Sequence, residues 1–525
     1  MHRYQETLCV CSFFLSFMAL LGCGASSQIG FPKTTVVRET QLAGDSVEVI
    51  PGPEYQAGRL HRVFFGDHYR DLWTSAVKVK VLDMKHFAGG LTPVEAGGGF
   101  QTKSLRFAGA DGKLYKFRSV NKDPKAILPV ELQKTFAADV AQDHISTSNP
   151  AGALIVDELS GATGVPRLHP QLVLLPDDPQ LGEFRASFGG LLGIFETYPD
   201  DGFLGSTKIQ NALKMFAAME EDSEDRPDAV AYLNARLLDL FVGDWDRHVK
   251  QWKWARFENE NGRKTWLPIP MDRDQAFVRL DGLLPWMADM SVTQFENFYE
   301  HFNDIYALTF SGRYLDRRIL VDFDKRTWDS VVTTFLTHVT DDVIKHSVRA
   351  LPPEYYEIDG ARLENALISR RDEFREAADT YYQQLASFVD VYFSDKREYV
   401  EVSRLESGDV DVAAWRREKD TGGKKDDPPV YHRLFRRAET REIRLYMLGG
   451  DDKVVISGNV PRSIIVRVDG GKGDDEFIDD SVVHGVLWGF LFFIPQADHM
   501  TYFYDHSGDN NIVEGPGSSF DKSKE

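Results

Sequence analysis

The chain has 525 residues and carries 81 acidic against 61 basic side chains, which gives a formal net charge of −20 at pH 7. This acidic balance argues against a nucleic-acid-binding role that depends on bulk positive charge. The length predicts roughly two or three domains.

The first residues have the pattern of an export signal. Arg3 precedes an almost wholly apolar run over residues 8–21, which is too short for an ordinary transmembrane helix and has the shape of a secretory signal. The stretch Leu20-Leu21-Gly22-Cys23 resembles a bacterial lipoprotein signal, in which residues 1–22 are removed and Cys23 becomes the lipidated first residue. An uncleaved hydrophobic anchor is the alternative.

The lipoprotein resemblance implies a location. Residues 23–53 would tether the folded part to the bacterial cell envelope, at the outer membrane, with the periplasmic or surface side left open. The other two cysteines, Cys9 and Cys11, lie in the removed segment, so the mature chain has no disulfide.

Residues 54–200 predict a β-rich domain. Alternation and β-branching predict strands over 63–70, 76–82, 171–175 and 190–198, and a turn at Asp111-Gly112 separates two more over 104–107 and 113–120. Helices are predicted over 131–147 and 151–159. Lys116 and Arg118 are two residues apart and so project from one face of their strand, as a phosphate-binding pair needs; two solvated cations are the alternative.

Helical patterns dominate residues 201–400, with helices predicted over 207–220, 228–241, 327–348 and 362–392. A hairpin over 252–269 interrupts them. A β-rich half followed by a helical half predicts an α+β fold of two lobes with a cleft between them.

Two acidic clusters flank the hairpin. Asp244 and Asp246 precede it, and Asp272 and Asp274 follow it. If Asn261-Gly262 forms a two-residue type I′ turn, an unbulged ladder brings Gln251 opposite Asp272 and returns one cluster to the other. Clustered carboxylates repel each other unless a cation lies between them, so the pattern predicts a divalent metal with oxygen ligands. An acidic surface turn beside a polar hairpin is the alternative.

These motifs resemble a known superfamily. Asp246-Arg247-His248 followed by Gln251 resembles the Asp-x-His-x-x-Asn catalytic loop of protein-kinase-like enzymes. The segment 269–277 resembles the Pro-Trp-Asp-x-Asp element of the spore-coat CotH kinase family, and 191–196 resembles the strand that precedes it there. The resemblance covers roughly residues 97–277, and the chain departs from the family patterns at Gln251 and Met271.

The resemblance implies a two-lobed protein-kinase-like fold and assigns roles to individual residues. Asp246 would orient or deprotonate an acceptor hydroxyl, and His248 would support its loop. Magnesium or manganese would be held by Gln251, Asp272 and Asp274. The phosphates of ATP would be bound by Lys116 or Arg118, with Lys103 and Glu196 completing the nucleotide-binding set.

The implied function is metal-dependent phosphoryl transfer to a hydroxyl of a protein or small molecule. Two alternatives stay open. A non-catalytic pseudokinase, or a cell-envelope binding or assembly protein, is one, because an exported protein meets little ATP in a periplasm. A metal-dependent phosphoesterase is the other, although it needs further histidine clusters that the sequence lacks.

After residue 400 the composition changes. Residues 401–429 predict a linker, most strongly charged from 416 to 429, and 430–525 predict a small all-β module. Gly449-Gly450-Asp451-Asp452 recurs about 21 residues later within 470–475, with a weaker third copy at 504–509. The second copy resembles the Gly-Gly-x-Gly-x-Asp calcium turn of parallel β-helices and implies calcium. Acidic turns between strands are the alternative.

Overall fold

The computed structural model describes residues 35–38, 46–98, 101–222, 224–260, 262–285, 296–488, 493–505 and 507–521. The predicted export signal, Cys23 and most of the predicted tether lie outside these residues. Across the described part of the chain, no helix combines the length and the apolar character needed to cross a membrane. The protein has a mixed α/β fold built from several sheets.

The first sheet has eight strands: β1 Thr35–Arg38, β2 Ser46–Ile50, β3 Val77–Val81, β4 Leu91–Gly97, β5 Ser104–Gly109, β6 Leu114–Ser119, β7 Gln171–Leu174 and β8 Leu192–Tyr198. Their order across the sheet is β1-β2-β3-β7-β8-β6-β5-β4. The strands predicted over 76–82, 104–107, 113–120, 171–175 and 190–198 correspond to β3, β5, β6, β7 and β8.

The two faces of this sheet differ in chemistry. One face of β5, β6 and β8 carries the buried rings of Phe107, Phe117 and Phe195, which belong to one core cluster. Because side chains alternate along a strand, the residues between them point to the opposite face. There Arg106 lies opposite Lys116, and Lys116 lies opposite Glu196 on β8. A polar row therefore crosses three neighbouring strands on the face away from that aromatic cluster.

Five helices accompany the sheet: α1 Arg59–Phe65, α2 Arg70–Thr74, α3 Phe136–Asp143, α4 Gly152–Thr163 and α5 Arg185–Phe188. The strand predicted over 63–70 is therefore wrong. The Gly66 carbonyl accepts a hydrogen bond of 2.9 Å from Nε of the buried Arg70, whose guanidinium also pairs with Asp143 at 2.6 Å. The contact with Asp143 is a tertiary one, and such contacts override the local β propensity of Val63-Phe64-Phe65. The helix predicted over 131–147 is shorter and ends in the 3-10 turn His144–Thr147.

A second sheet contains β9 Lys208–Asn211, β10 Arg226–Pro227, β11 Trp252–Glu258 and β12 Lys264–Pro270, in the order β10-β12-β11-β9. The helices that follow or surround it are α6 Ala212–Glu221, α7 Ala229–Val242, α8 Ile305–Thr309, α9 Arg313–Ile319, α10 Lys325–His338, α11 Asp341–Val348, α12 Pro353–Tyr355 and α13 Ala361–Ala386.

Helix α7 lies at the centre of this region, and ten of its fourteen residues are buried. Asp228 caps its first turn by accepting a hydrogen bond from the backbone N–H of Ala231 at 2.9 Å. The helix predicted over 327–348 is two helices, because Thr340 caps α11 through the Val343 N–H at 3.3 Å. The helix predicted over 362–392 ends at Ala386, and a strand follows it.

The C-terminal region forms two larger sheets and a small one. The first contains β13 Phe388–Tyr392, β17 Glu442–Tyr446, β20 Ile465–Asp469, β24 Thr501–Tyr504 and β26 Ser518–Asp521, all parallel. The second contains β14 Glu398–Arg404, β15 Val410–Arg416, β16 Tyr431–Phe435, β18 Lys453–Ser457, β21 Glu476–Asp479 and β25 Asn511–Val513. The small sheet contains β19 Asn459–Val460, β22 Val482–Trp488 and β23 Phe493–Ala497.

The linker predicted over 401–429 needs correction. Strands β14 and β15 occupy much of it, and this β-rich region begins at Phe388 instead of residue 430. The charged stretch 416–429 connects β15 to β16, which pair as an antiparallel hairpin. Charged residues dominate the local composition, but the alternating buried valines of β14 and β15 decide the structure, since they enter the C-terminal core: Val400, Val402, Val410 and Val412.

Candidate active site

The end of helix α7 sets the position of the first acidic cluster. Gly243 has a φ of 68°, a left-handed conformation that glycine adopts without steric cost, and it ends the helix. The Asp244 N–H donates to the Asp239 carbonyl at 2.9 Å. From helix α13, Arg370 donates to the carbonyls of Phe241 and Leu240 at 2.9 and 2.8 Å. These contacts therefore hold the C-terminal end of α7 in place, and the loop with Asp244 and Asp246 begins there.

Beneath this loop lies a buried network of charges. Asp239 accepts from Arg236 at 2.8 Å and from Arg247 at 3.3 Å, and it also pairs with Arg273. Burial alone would raise the pKa of Asp239, but the three arginines outweigh burial and lower it to about 2. Burial raises the pKa of Asp244 to about 7, although Arg247 and Arg273 partly offset the effect. The network joins the residues before the hairpin to those after it.

Arg247 makes the most direct connection between the two clusters. Its Nη1 donates to the carbonyls of Met271 and Asp272 at 2.7 and 3.1 Å, and its Nη2 donates to the Gln251 carbonyl at 3.3 Å. Asp272 has a φ of 57°, a conformation that costs free energy for a non-glycine residue and concentrates at functional sites. One buried guanidinium thus fixes the backbone on both sides of the hairpin.

The hairpin forms, but its register differs from the predicted one. Glu258 pairs with Lys264, and the Met271 N–H donates to the Gln251 carbonyl at 2.9 Å, so Gln251 lies opposite Met271 instead of Asp272. The loop contains three residues, because the Asn259 side chain accepts from the Arg263 N–H at 2.9 Å and closes it one residue earlier. Gly262 has a φ of 77°, as such loops require, and Asn261 lies outside the described residues. The shift of one residue leaves the two clusters adjacent.

Two cations from the first sheet pair with the second cluster. Arg118 on β6 forms an ion pair with Asp272, and Lys122, just beyond β6, forms one with Asp274. Both carboxylates keep 26% of their side-chain surface exposed. Burial raises the pKa of Asp272 more than Arg118 lowers it, whereas Lys122 and Arg118 outweigh burial and lower the pKa of Asp274. The first sheet and the hairpin therefore meet at this pair of carboxylates.

Lys116 and Glu196 complete the group on this face of the sheet. Glu196 is buried, and burial raises its pKa to about 7, with Arg118 and Lys116 partly offsetting the effect. Lys116 points toward Tyr198, with its Nζ 6.0 Å from the ring centroid. Arg118, not Lys116, contacts the acidic cluster.

Lys103 lies apart from Lys116, Arg118 and Glu196. Its backbone lies opposite Ser119, which places its side chain on the opposite face from Arg118, and its Nζ donates to the Ser187 carbonyl at 2.9 Å. Lys122, which the sequence did not single out, takes a place in the site instead. No periodicity identifies it, because it follows the last residue of β6.

Asp246 and His248 lie in the loop between α7 and β11, and both side chains are partly exposed to solvent. The Asp246 side chain is 29% exposed, its Oδ1 lies 3.7 Å from His248 Nε2, and its Oδ2 accepts a long hydrogen bond of 3.5 Å from Gln251 Nε2. His248 Nδ1 accepts from the Lys250 N–H at 3.1 Å and caps the short 3-10 helix Val249–Gln251. That bond leaves the proton on Nε2, facing Asp246. Asp246 is thus oriented by two neighbours and open to solvent.

The donor set fits a divalent metal that arrives with phosphates. Among the residues that the structure describes, no group of three His, Cys, Asp or Glu side chains is arranged to hold a metal ion. Magnesium normally takes only one or two protein carboxylates and completes its coordination with water and substrate phosphate oxygens. Asp272, Asp274 and the amide oxygen of Gln251 are hard oxygen donors of this kind.

The Gly-Gly-Asp-Asp turns of the C-terminal region stack on one another. Asp452 accepts from the Glu398 N–H at 2.7 Å, Asp475 from the Asp452 N–H at 2.8 Å, and Asn510 from the Asp475 N–H at 2.7 Å. Burial, then the neighbouring Glu398, raises the pKa of Asp452 to about 10. These side chains serve as acceptors between successive turns. His506 of the third copy lies outside the described residues, and calcium binding stays a prediction.

Comparison with known proteins adds one structural similarity. No protein-family description matches the chain, and no curated protein matches it. Among solved structures, it is similar to the crystal structure of a Helicobacter pylori proinflammatory kinase, CtkA, with a TM-score of 0.31 and 11% sequence identity. The match covers 55% of this chain and 96% of that one.

Proposed function

We propose that the protein is a metal-dependent phosphotransferase with a two-lobed, protein-kinase-like fold. It would transfer the terminal phosphoryl group of ATP to a hydroxyl of a protein or small molecule. The observation that supports this proposal is the meeting of three parts: the cation Arg118 from the first sheet, the carboxylates Asp272 and Asp274 after the hairpin, and the Asp246 loop before it. Arg247 ties the last two together.

Each residue has a role in that reaction. Arg118 and Lys122 would bind phosphate oxygens, because both already face the acidic pair. Gln251, Asp272 and Asp274 would hold magnesium or manganese, which neutralises phosphate charge when bound.

Asp246 would orient the acceptor hydroxyl and take its proton as the oxygen bonds to phosphorus. The bond from phosphorus to the leaving phosphate oxygen breaks in the same step, and ADP leaves with the electron pair. His248 and Gln251 would keep the Asp246 carboxylate in place, since both lie against its oxygens.

A non-catalytic pseudokinase is the second candidate, and one observation favours it. Both candidate metal carboxylates are already paired with cations of the protein, Asp272 with Arg118 and Asp274 with Lys122. If these ion pairs persist in the presence of nucleotide and metal, the cleft would bind a ligand without activating it.

We also propose that the mature protein is an exported lipoprotein, on the basis of Leu20-Leu21-Gly22-Cys23. The substitution Cys23→Ser should abolish incorporation of labelled fatty acid and release the protein from the membrane fraction. Unchanged fractionation of the variant would refute the lipid anchor and leave the proposed chemistry untouched.

Transfer of labelled γ-phosphate by the mature chain, with magnesium or manganese, tests the proposed function. Wild type should label an acceptor or itself, and Asp246→Asn should lower the rate by about two orders of magnitude or more, the scale of general-base contributions. If wild type binds ATP with metal but transfers nothing, and Asp246→Asn behaves identically, the pseudokinase is supported. Metal-dependent hydrolysis of a phosphoester without nucleotide binding would instead support a phosphoesterase.

A further inference from the structure

A second group of cations lies further along the polar face of the first sheet. We propose that Arg106, Lys116 and Lys253 form a site for a phosphate group beside the ring of Tyr198, separate from the Asp272 pair. The inference deepens the proposed function, on which it rests for the nature of the ligand, because it requires a ligand with more than one phosphate.

The first observation is a juxtaposition of like charges. Arg106 on β5 lies directly opposite Lys116 on β6, and both project from the polar face. Like charges at directly opposed positions of two strands destabilise a sheet. An anion that lies between the two side chains removes this repulsion.

The third cation comes from the second sheet. Lys253 on β11 places its Nζ 3.6 Å from the centroid of the Tyr198 ring, and the Arg106 and Lys116 groups lie 5.4 and 6.0 Å from the same centroid. Lys253 also donates to the Pro199 carbonyl at 2.8 Å, which holds it in place. Three cations from two sheets therefore surround one ring.

Carboxylates lie near this group without pairing with its lysines. Glu196 and Asp272 act on Lys116, and Asp200 and Asp201 act on Lys253. Arg106 pairs with Glu95, whose side chain is 58% exposed, but neither Lys116 nor Lys253 forms an ion pair with any residue that the structure describes. Glu196 lies opposite Lys116, yet burial raises its pKa to about 7, so it is a weak source of negative charge at neutral pH.

Burial of the Lys116 side chain carries a cost that an anion would relieve. Burial lowers the pKa of Lys116, and Arg118 adds to the effect. A bound anion stabilises the protonated form of this side chain, since opposite charges favour ionisation.

The spacing indicates the class of ligand. Lys116 and Arg118 are two residues apart on one strand, a separation of roughly 7 Å at the usual rise of a strand. A chain of two or more linked phosphates that runs along the strand spans this separation and contacts both side chains. Two sources have this chemistry: the phosphates of a nucleotide and an inorganic oligophosphate.

Calorimetric titration of the mature chain with inorganic tripolyphosphate in EDTA tests the site without metal or nucleoside. Wild type should bind, and Lys116→Gln and Lys253→Gln should each weaken binding by about tenfold or more, the effect of losing one charged hydrogen bond. Lys253→Arg should stay within about threefold of wild type. Lys250→Gln is the matched control, because Lys250 is an exposed lysine just before β11, and it should change nothing.

Thermal unfolding of each variant without ligand confirms that it folds.

The outcomes separate this inference from the proposed function. Absence of tripolyphosphate binding by wild type, or binding that Lys253→Gln leaves unchanged, overturns the inference, whereas metal-dependent ATP binding would still support the function. Lys253-dependent binding of tripolyphosphate without any nucleotide binding supports the site and refutes the function. If both ligands bind and ATP competes with tripolyphosphate, the site belongs to a nucleotide. If both bind without competing, the site belongs to an inorganic oligophosphate.

Discussion

Arg118 in the first sheet and Asp272 after the β11–β12 hairpin form an ion pair that joins two parts of the fold. Arg118 is buried, and Asp272 has a left-handed backbone conformation. The pair brings a cation suited to phosphate next to a carboxylate suited to a metal ion.

The ion pair should contribute to stability. Arg118→Met leaves the partly buried Asp272 carboxylate without its ion-pair partner, so the free energy of unfolding should fall by about 3 kcal/mol. Arg106→Met is the matched control, since its partner Glu95 is mostly exposed, and it should cost about 1 kcal/mol or less. Denaturant unfolding measures both. Adding Asp272→Asn to Arg118→Met should recover part of the loss; equal stability of Arg118→Met and wild type would contradict the account.

Glu196 should make stability depend on pH. Its pKa is raised from 4.5 to about 7 in the folded protein, so the folded state holds a proton that the unfolded state has lost in this window. The contribution of Glu196 to stability should therefore decrease as pH rises from about 4.5 to about 7 and stay constant above that. Glu196→Gln should show a shallower fall than wild type over the same range in thermal unfolding. Parallel curves for the two proteins would refute the raised pKa.

Arg370 should support the Asp246 loop from below. It donates to the last carbonyls of α7, so Arg370→Met should cost about 3 kcal/mol and weaken nucleotide binding through misplacement of the loop. Arg371→Met offers a control on the neighbouring residue, because Arg371 forms its ion pairs with the surface residues Asp341 and Asp372. Chemical unfolding should separate the two variants clearly. If both variants lose a similar free energy of unfolding, the contact of Arg370 with α7 contributes no more to stability than a surface ion pair.

The stacked turns of the C-terminal region should depend on their inner carboxyl groups. Asp475→Ala removes the acceptor of the buried Asp452 N–H and should cost about 2 kcal/mol. Asp474→Ala removes a carboxylate one residue earlier, whose bond to the Asp509 N–H is exposed, and it should cost less. Thermal unfolding in calcium and in EGTA distinguishes the implied calcium site from acidic turns that bind no ion. If calcium binds, the unfolding temperature of wild type should be higher in calcium than in EGTA.

Part of this arrangement could be predicted from local sequence. Alternation placed Lys116 and Arg118 on one face of β6, and the helical pattern over 228–241 located α7. The hairpin itself was also predictable. Its register was not, because the side chain of Asn259 closes a three-residue loop where Asn-Gly suggested a two-residue turn.

Other features depend on tertiary contacts that no local pattern encodes. Lys122 lies in the site because the fold places Asp274 beside it. Lys103 lies outside the site because its side chain is on the opposite face of the sheet. The burial of Arg236 and Arg247 among carboxylates is equally invisible to composition, since charged residues are ordinarily assigned to the surface. The charged stretch 416–429 predicted a linker between domains for the same reason. It instead joins β15 and β16, two strands of one sheet.

The dissociation constant of ATP with magnesium, measured by titration calorimetry for three variants beside wild type, tests whether Asp272 holds the metal and Asp246 does not. Removing a metal ligand should weaken nucleotide binding, whereas removing the hydroxyl-orienting carboxylate should spare it. We therefore expect Asp272→Ala to abolish the metal-dependent part of binding, Asp246→Asn to keep it, and Asp342→Ala, a surface control on α11, to match wild type. Metal-dependent binding that is the same in Asp272→Ala and wild type would contradict the assignment of this cleft.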